Sequence, residues 1–130
     1  MFFLEHDEVR DLNRLVVEFS GGDVGYVNEG NLFHVCDSAK RVSGGVVKVA
    51  AYYLYHFAYT AHAFTDGNKR TALEAMISYL ILNGYFIKTN DEELVGLALM
   101  TAKGEKSLGE VEQWIKVRLK RQNKPKTIYG

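Results

Sequence analysis

The sequence predicts an all-α fold: a single helical domain of about five to six helices over residues 1–122, followed by a C-terminal tail at 123–130. Two central segments are apolar on nearly every face, which is typical of buried helices. Other apolar residues recur at helical spacing. Helix-start signals, in which an Asn or Ser stands three residues before a Glu, recur in the C-terminal third.

The composition indicates one soluble globular domain. The chain has 130 residues, of which 47% are hydrophobic and 25% charged, and both values are ordinary for such a domain. Its 16 basic and 16 acidic side chains cancel, so bulk charge favours neither nucleic acid nor a membrane as partner. The chain has one cysteine, no membrane-spanning apolar run and no visible signal peptide, so we expect a cytoplasmic protein.

The N-terminal part predicts two helices. The first covers residues 7–19 and ends at the glycine-containing stretch 20–23. Its predicted core face comprises Val9, Leu12, Leu15, Val16 and Phe19, and its predicted polar face comprises Glu8, Arg10, Asp11 and Asn13. After a glycine-rich loop, a short helix is predicted over residues 31–37.

Two long helices are predicted at the centre of the chain. Residues 46–61 begin with β-branched side chains, but their length favours a buried helix over a strand. The second helix, over residues 69–83, carries Leu73, Met76, Ile77, Leu80 and Ile81. Asn83 and Gly84 predict a left-handed stop at its end.

The C-terminal part predicts two further helices. Residues 85–87 form too short a segment to assign and could be extended. Asn90 with Glu93 resembles a capping box and opens a helix to about residue 102, and Ser107 with Glu110 repeats that signal for the last helix. We place Val111, Trp114, Ile115, Val117 and Leu119 on that last helix. The tail, which contains Pro125, is expected to fray.

The stretch between the two central helices carries the most unusual chemistry. On one continuous helix, His62, Asp66 and Arg70 would share a solvated face with an Asp66–Arg70 ion pair. Gly67 and Asn68 are poor residues for a helix interior, however. We therefore predict a loop that ends at Gly67 and a helix that begins near Asn68.

A loop that leads into a helix N-terminus is suited to bind an anion. Free backbone N–H groups and the positive end of the helix dipole face the loop, and Gly67 lets a phosphate approach the backbone. Lys69 and Arg70 are unfavourable at this end of a helix unless an anion binds there. Asp66 beside phosphates indicates a bridging Mg²⁺, and His62 can accept a proton. These residues predict attack of a hydroxyl on a nucleotide phosphate.

The residues His-Ala-Phe-Thr-Asp-Gly-Asn-Lys-Arg at 62–70 resemble the signature of the Fic/Doc family, specifically its death-on-curing (Doc) branch. Three other segments resemble that branch: the glycine-rich stretch 21–32, residues 81–85 and residues 102–115. The resemblance covers roughly residues 5–119 and implies the family's all-α fold.

The resemblance implies a role for each motif residue. His62 matches the catalytic base that activates the target hydroxyl, and Asp66 matches the residue that holds Mg²⁺. Phe64 matches the aromatic residue that anchors the loop in the core. The expected binding residues for the phosphates of the substrate ATP are Gly67, Asn68, Lys69 and Arg70.

Two departures from the adenylylating Fic pattern distinguish the chain. Lys69 stands where that pattern has glycine, and Leu73 stands where it has a second arginine. In the Doc branch the same features accompany a reversed nucleotide, which implies transfer of the terminal phosphate of ATP. AMP transfer is the alternative, and a Fic-like binding module without catalysis is a third hypothesis. Ala63 replaces the proline of many relatives and is expected to affect loop rigidity only.

The resemblance also implies partners. A Doc-like toxin would phosphorylate a protein hydroxyl, by resemblance a threonine of elongation factor Tu, and so block translation. The inhibitory Ser/Thr-x-x-x-Glu-Gly/Asn motif of many Fic proteins is missing, residues 101–106 being the closest stretch. Inhibition would then come from a separately encoded antitoxin.

A surplus of apolar residues near the N-terminus predicts a docking groove for that antitoxin between the first helix and the central pair. The alternative is that residues 2–4 form a short strand or staple on the core. The residues concerned are Phe2, Phe3, Leu4, Val16, Val17 and Phe19.

Other candidate sites have simpler explanations. His6, His34 and Cys36 meet no zinc-binding spacing, and His56, inside an apolar helix, is expected to be a core histidine. The basic C-terminal run is more typical of a solvated helix end than of a nucleic-acid site, so we expect no nucleic-acid partner. That run comprises Lys116, Arg118, Lys120, Arg121, Lys124 and Lys126.

Overall fold

The computed structural model describes residues 1–122. Within that range the helices are α1 (His6–Ser20), α2 (Glu29–Ala39), α3 (Val46–Tyr55), α4 (Asn68–Leu82), α5 (Asp91–Ala102) and α6 (Leu108–Arg118), and the strands are β1 (Tyr85–Ile87) and β2 (Leu119–Arg121). The predicted all-α fold is confirmed, and α2 is longer than the predicted 31–37. The tail predicted at 123–130, with Pro125, lies outside the described residues.

The central pair of helices, α3 and α4, forms the middle of the core. Tyr53 and Leu54 of α3 and Met76 and Tyr79 of α4 are fully buried, and the rings of Tyr53 and Tyr79 lie 5.3 Å apart. Helices α1 and α5 pack against α4, and α6 packs against α3. Across the described part of the chain, each helix is too short or too polar to traverse a lipid bilayer.

The helix predicted over residues 46–61 changes from α-helical to π-helical hydrogen bonding near its end. The α-helical part stops at Tyr55, and a π-helical turn, His56–Thr60, continues it. The N–H of Ala61 donates to the carbonyl of His56 at 2.8 Å, five residues back, and His56 Nδ1 lies 2.7 Å from Thr60 Oγ1. Burial, and less strongly the nearby His34, lowers the pKa of His56. His56 is therefore half-buried with a hydrogen-bonded ring, and the prediction that it is a core residue is wrong, because the π-helical turn lies at the edge of the core.

The two predicted capping boxes differ. Ser107 and Glu110 exchange both bonds of the box at the start of α6. Asn90 accepts the backbone N–H of Glu93 at 2.8 Å, but the reciprocal bond does not form. The Glu93 carboxylate instead accepts the hydroxyl of Thr89 and lies 3.4 Å from Arg118. Asn90 is therefore a simple N-cap, and the predicted box at this position is wrong.

The last helix ends earlier than predicted. Leu119, placed on that helix from its spacing, lies in β2 and pairs with Ile87 of β1. The backbone carbonyl of Arg118 accepts the N–H of Lys88 at 2.9 Å, which extends the antiparallel pairing of β1 and β2 by one hydrogen bond. The guanidinium of Arg118 lies 4.1 Å from the centre of the Trp114 ring. Gly84, just before β1, has φ of +90°, as the predicted left-handed stop requires.

Residues 2–4 pack on the core as a staple and form no strand. The Leu4 side chain is buried, and its backbone N–H donates to the Tyr53 hydroxyl at 3.1 Å. The N–H and carbonyl of Phe2 both bond the Asn83 side-chain amide at 2.8 Å. The ring of Phe3 lies 6.1 Å from that of Tyr79.

The core face of α1 differs from the predicted one. Its buried residues are Val9, Asn13, Val16 and Val17. Leu15 and Phe19, predicted in the core, are 62% and 97% exposed, whereas Asn13, predicted on the polar face, is 2% exposed. The reason is that the stripe at 9, 13, 16 and 17 faces α4, and Asn13 finds hydrogen-bond partners there.

Candidate active site

The loop between the two central helices ends where the sequence predicted. It ends at Gly67, and α4 begins at Asn68. Gly67 has φ of +77°, and a Cβ there would lie 3.1 Å from Val16 Cγ1 and 3.3 Å from Val17 Cγ2. Glycine is therefore required twice, because the backbone is left-handed and α1 approaches it closely.

Asn68 closes this loop with its side chain. Its Oδ1 accepts the backbone N–H of Phe64 at 3.1 Å, and its Nδ2 donates to the Phe64 carbonyl at 2.8 Å. Phe64 is buried, and its ring stacks 5.6 Å from that of Tyr26, which confirms its anchoring role. The amide of Asn68 thus shapes the loop, and its backbone N–H, in the first turn of α4, has no acceptor inside the helix.

The carboxylate of Asp66 is held by the loop that follows α1. Its Oδ2 accepts the backbone N–H of Asp23 at 2.8 Å. A Cβ at Gly22 would come within 3.0 Å of the same oxygen. Arg70 bonds Glu74 at 3.2 Å instead of Asp66. The interpretation of His62, Asp66 and Arg70 as one helix face with an ion pair is therefore wrong, because a loop separates them.

The backbone of Asp66 has its own partner, which the sequence analysis missed. Its carbonyl accepts Asn13 Nδ2 at 2.8 Å, and the same nitrogen lies 3.1 Å from Thr71 Oγ1. Asn13 and Thr71 are both buried. A signal was available, since Asn13 follows Val9 by four residues and precedes Val16 by three, which places it on the face of those valines.

A cavity of about 510 Å³ opens between α1, α4 and α5 beside this loop. One side is polar and carries Asp66, Gly67, Asn68, Lys69 and Arg70. The other side is apolar and carries Val16, Leu73, Val95, Ala98 and Leu99. A cavity of this size, with an anion-binding helix end on one side and an apolar wall on the other, suits a nucleotide.

His62 lies in the same loop but is not among the residues that line the cavity. Its side chain is exposed, while its neighbours Ala61 and Ala63 are buried. It has φ of +45°, and within residues 1–122 no other non-glycine residue has a positive φ. A non-glycine residue in this region is strained, and such strain clusters at functional sites. His62 is thus accessible to a second substrate.

The glycine-rich stretch after α1 lies along the loop as an extended segment. The N–H of Thr65 donates to the Gly25 carbonyl at 3.0 Å, and the N–H of Val27 donates to the Ala63 carbonyl at 2.9 Å. Tyr26 and Phe64 form a β-bridge between the two segments. The stretch predicted only as a loop therefore fixes the motif from its outer side.

The donor set at Asp66 fits Mg²⁺ that binds together with a phosphate. No group of three or more His, Cys, Asp or Glu side chains able to hold a metal occurs in the described part of the chain. Asp66 Oδ1 accepts no hydrogen bond from residues 1–122, since the bond from Asp23 uses Oδ2. Mg²⁺ commonly takes one or two carboxylates, with phosphate oxygens and water completing its shell.

Comparison with known proteins gives one family. The profile of the Fic/DOC family matches residues 3–80, more than half of the chain. The matched range contains α1 to α3, the whole motif loop and most of α4. A comparison with curated proteins found no match.

Proposed function

The chain belongs to the Fic/DOC family and so carries a Fic-type domain that modifies proteins, and from this premise we propose that it is a Doc-like kinase. It transfers the terminal phosphate of ATP to a hydroxyl group of a protein. The observation that carries the proposal is the pair Lys69 and Leu73, which both line the cavity beside the motif loop.

The two side chains give the cavity a charged mouth and an apolar interior. Leu73 is 4% exposed and lies one turn into α4, beside Ala98 and Leu99 in the cavity lining. A triphosphate that extended inward would find no cation there, whereas Lys69 and the first turn of α4 offer positive charge at the mouth. This distribution favours a nucleotide whose terminal phosphate lies at the loop.

The proposed chemistry gives each of these loop residues a role. An imidazole nitrogen of His62 accepts the proton of the substrate hydroxyl as its oxygen attacks the terminal phosphorus. The bond between that phosphorus and the bridging oxygen breaks, and ADP leaves. Lys69 and the backbone N–H groups of the first turn stabilise the charge on the phosphate oxygens. Asp66 would hold Mg²⁺, which neutralises phosphate charge when it is bound.

Labelled ATP tests the proposal. Purified protein is incubated with elongation factor Tu, the target that the resemblance implies, and with ATP labelled at the α or the γ phosphate. We expect label in the target from the γ position only. Transfer from the α position would overturn the kinase and support AMP transfer. Nucleotide binding with no transfer to any protein of a cell lysate would support the non-catalytic binding module.

We further propose that the chain is a cytoplasmic toxin whose antitoxin docks at the cavity. The apolar wall extends to the surface at Val95 and Leu99, which are 53% and 39% exposed, and Phe19 is 97% exposed at the end of α1. An amphipathic helix that folds from a disordered antitoxin segment would cover such residues. The groove then has α5 as a third wall, beside the α1 and central-pair walls that the sequence suggested.

Hydrogen exchange on the co-expressed pair tests this docking. The antitoxin candidate is the small protein encoded beside the gene, and growth arrest should disappear when both are present. We expect new protection at residues 16–22 and 95–99 together. Protection confined to α6 would place the antitoxin elsewhere, and a failure to form any complex would overturn the toxin proposal.

A further inference from the structure

We infer that Asn13 is a positioning residue that sets the backbone of Asp66 and, through it, the carboxylate proposed to hold Mg²⁺. The effect on phosphate transfer rests on the proposed function. The placement of Asp66 itself rests only on contacts within the protein.

The side-chain amide of Asn13 bridges the start of α4. Its Nδ2 donates to the Asp66 carbonyl at 2.8 Å and lies 3.1 Å from Thr71 Oγ1. A carbonyl oxygen can only accept, so the amide must present its nitrogen to Asp66. One partner precedes Gly67 and the other lies in the first turn of α4, so a single nitrogen fixes the loop end relative to the helix.

Packing alone does not require an amide at this position. Asn13 is 2% exposed, and the other buried residues of α1 are the valines Val9, Val16 and Val17. An apolar side chain would fill the same space without the cost of burying a polar group. It would also leave the partly buried Asp66 carbonyl without this donor, which is unfavourable for an acceptor removed from water.

Asp66 is restrained at both ends of the residue. Asn13 holds its carbonyl, and the N–H of Asp23 holds its Oδ2 at 2.8 Å. The next residue packs closely on the same amide, since a Cβ built on Gly67 would lie 3.3 Å from Asn13 Nδ2. We therefore expect a change at Asn13 to move Asp66 Oδ1, and a displacement of about 1 Å in an active site can cost about 100-fold in rate.

The test compares three variants of matched burial. Asn13→Asp keeps the shape but turns the donor into an acceptor, and Thr71→Val removes only the second partner. Val9→Ala is the control, because Val9 is fully buried on the same face of α1 and does not line the cavity. Binding of Mn²⁺ with ATP is followed by electron paramagnetic resonance, and phosphate transfer by kcat/KM and its Mg²⁺ dependence.

We expect Asn13→Asp to weaken Mn²⁺–ATP binding at least about tenfold and to lower kcat/KM about 100-fold. The Mg²⁺ concentration for half-maximal rate should rise in parallel. Thr71→Val should change each value less than Asn13→Asp does. Val9→Ala should lower the Tm while keeping both values within about twofold. Equal effects of Asn13→Asp and Val9→Ala on metal–nucleotide binding would overturn the inference.

Amide exchange at Asp23 separates this inference from the proposed function. That N–H bonds Asp66 Oδ2, so its exchange rate in the free protein, measured by NMR, reports the position of the carboxylate. It should rise in Asn13→Asp and stay unchanged in Val9→Ala, whether or not the wild type transfers phosphate. An unchanged rate in Asn13→Asp would overturn the inference even if the wild type proved to be a kinase.

Discussion

Helices α4 and α5 begin in opposite ways. Helix α5 begins with Asn90 as a side-chain cap and has three acidic residues in its first turn. Helix α4 has Gly67 at its N-cap position and no side-chain cap, and two cations, Lys69 and Arg70, lie in its first turn. The same dipole and the same free N–H groups exist at both ends. The start of α5 is satisfied from within the chain, whereas the start of α4 is where we propose that the phosphates of ATP bind.

A missing cap alone does not mark such a site. Helix α3 also lacks a side-chain cap, but Lys48 in its first turn pairs with Glu112 at 3.2 Å. Lys69 forms no ion pair with the residues that the structure describes. Changes near the start of α4 should therefore alter phosphate transfer, whereas changes at the start of α5 should alter only stability.

The largest effect is expected at His62, in the loop that precedes α4. His62→Ala should lower the transfer rate about 10²–10⁴-fold, because loss of a general base has that size. The fold should survive, since the side chain is exposed. The substitution also adds little backbone strain, because histidine already has the left-handed φ that alanine would have to adopt. Transfer rate and thermal melting are measured together, with the exposed His6→Ala as control. Wild-type activity in His62→Ala would contradict the mechanism.

Gly67→Ala should destabilise the protein by about 1–3 kcal/mol, because φ is +77° and the new Cβ would press on Val16. The same substitution at Gly96, inside α5 with nothing within 4 Å of the new Cβ, should stabilise by about 0.5–1 kcal/mol. Urea unfolding measures both free energies. Equal signs for the two variants would break the contrast between the helices.

Asn90→Ala should lower the free energy of unfolding by about 1 kcal/mol, since it removes the bond to the N–H of Glu93. Transfer should be unchanged, because Asn90 does not line the cavity. Asn90→Asp keeps an acceptor and serves as the control with near-wild-type stability. A loss of transfer in Asn90→Ala, at a temperature where it is folded, would show that the two helix starts are not separate in function.

The smallest effect is expected from the removal of one positive charge at a helix end. Lys69→Gln should stabilise the nucleotide-free protein by about 0.3–1 kcal/mol, because it removes a cation from the positive end of α4, while it weakens ATP binding. Lys103→Gln, at the C-cap of α5, removes a cation from a negative end and should not stabilise. Thermal melts at low ionic strength compare the two. A lower Tm for Lys69→Gln would contradict the role of the dipole.

Local signals were enough to predict most elements and the motif loop. The caps at Asn90 and Ser107 and the break at Gly67 each depend on residues a few positions apart, so the sequence contains their cause. The π-helical turn and β2 could not be predicted in this way. Residues 56–60 look like ordinary buried helix, and Leu119 leaves helical spacing only because β1, more than 30 residues earlier, pairs with it.

Part of the candidate site could likewise be predicted from local sequence, and part depends on distant residues. Its charged and glycine residues could be proposed from the motif, because their chemistry is unusual for a helix start. The contacts that hold them could not, since Asn13 and Asp23 come from α1 and the loop after it. The hydrogen bonds of the Asn68 side chain to the Phe64 backbone could not be predicted either. In the sequence, an amide that closes its own loop cannot be distinguished from one that contacts a phosphate.

The stacked pair Trp114 and Arg118 gives this protein a convenient optical reporter. Trp114 is the one tryptophan in the chain, and the Arg118 guanidinium lies 4.1 Å from its ring centre. No residue of α6 lines the 510 Å³ cavity, so its emission should respond to loss of the fold and not directly to occupancy by a nucleotide. Unfolding curves can therefore be recorded by intrinsic fluorescence, while a fluorescent nucleotide excited at longer wavelength follows binding in the same cuvette.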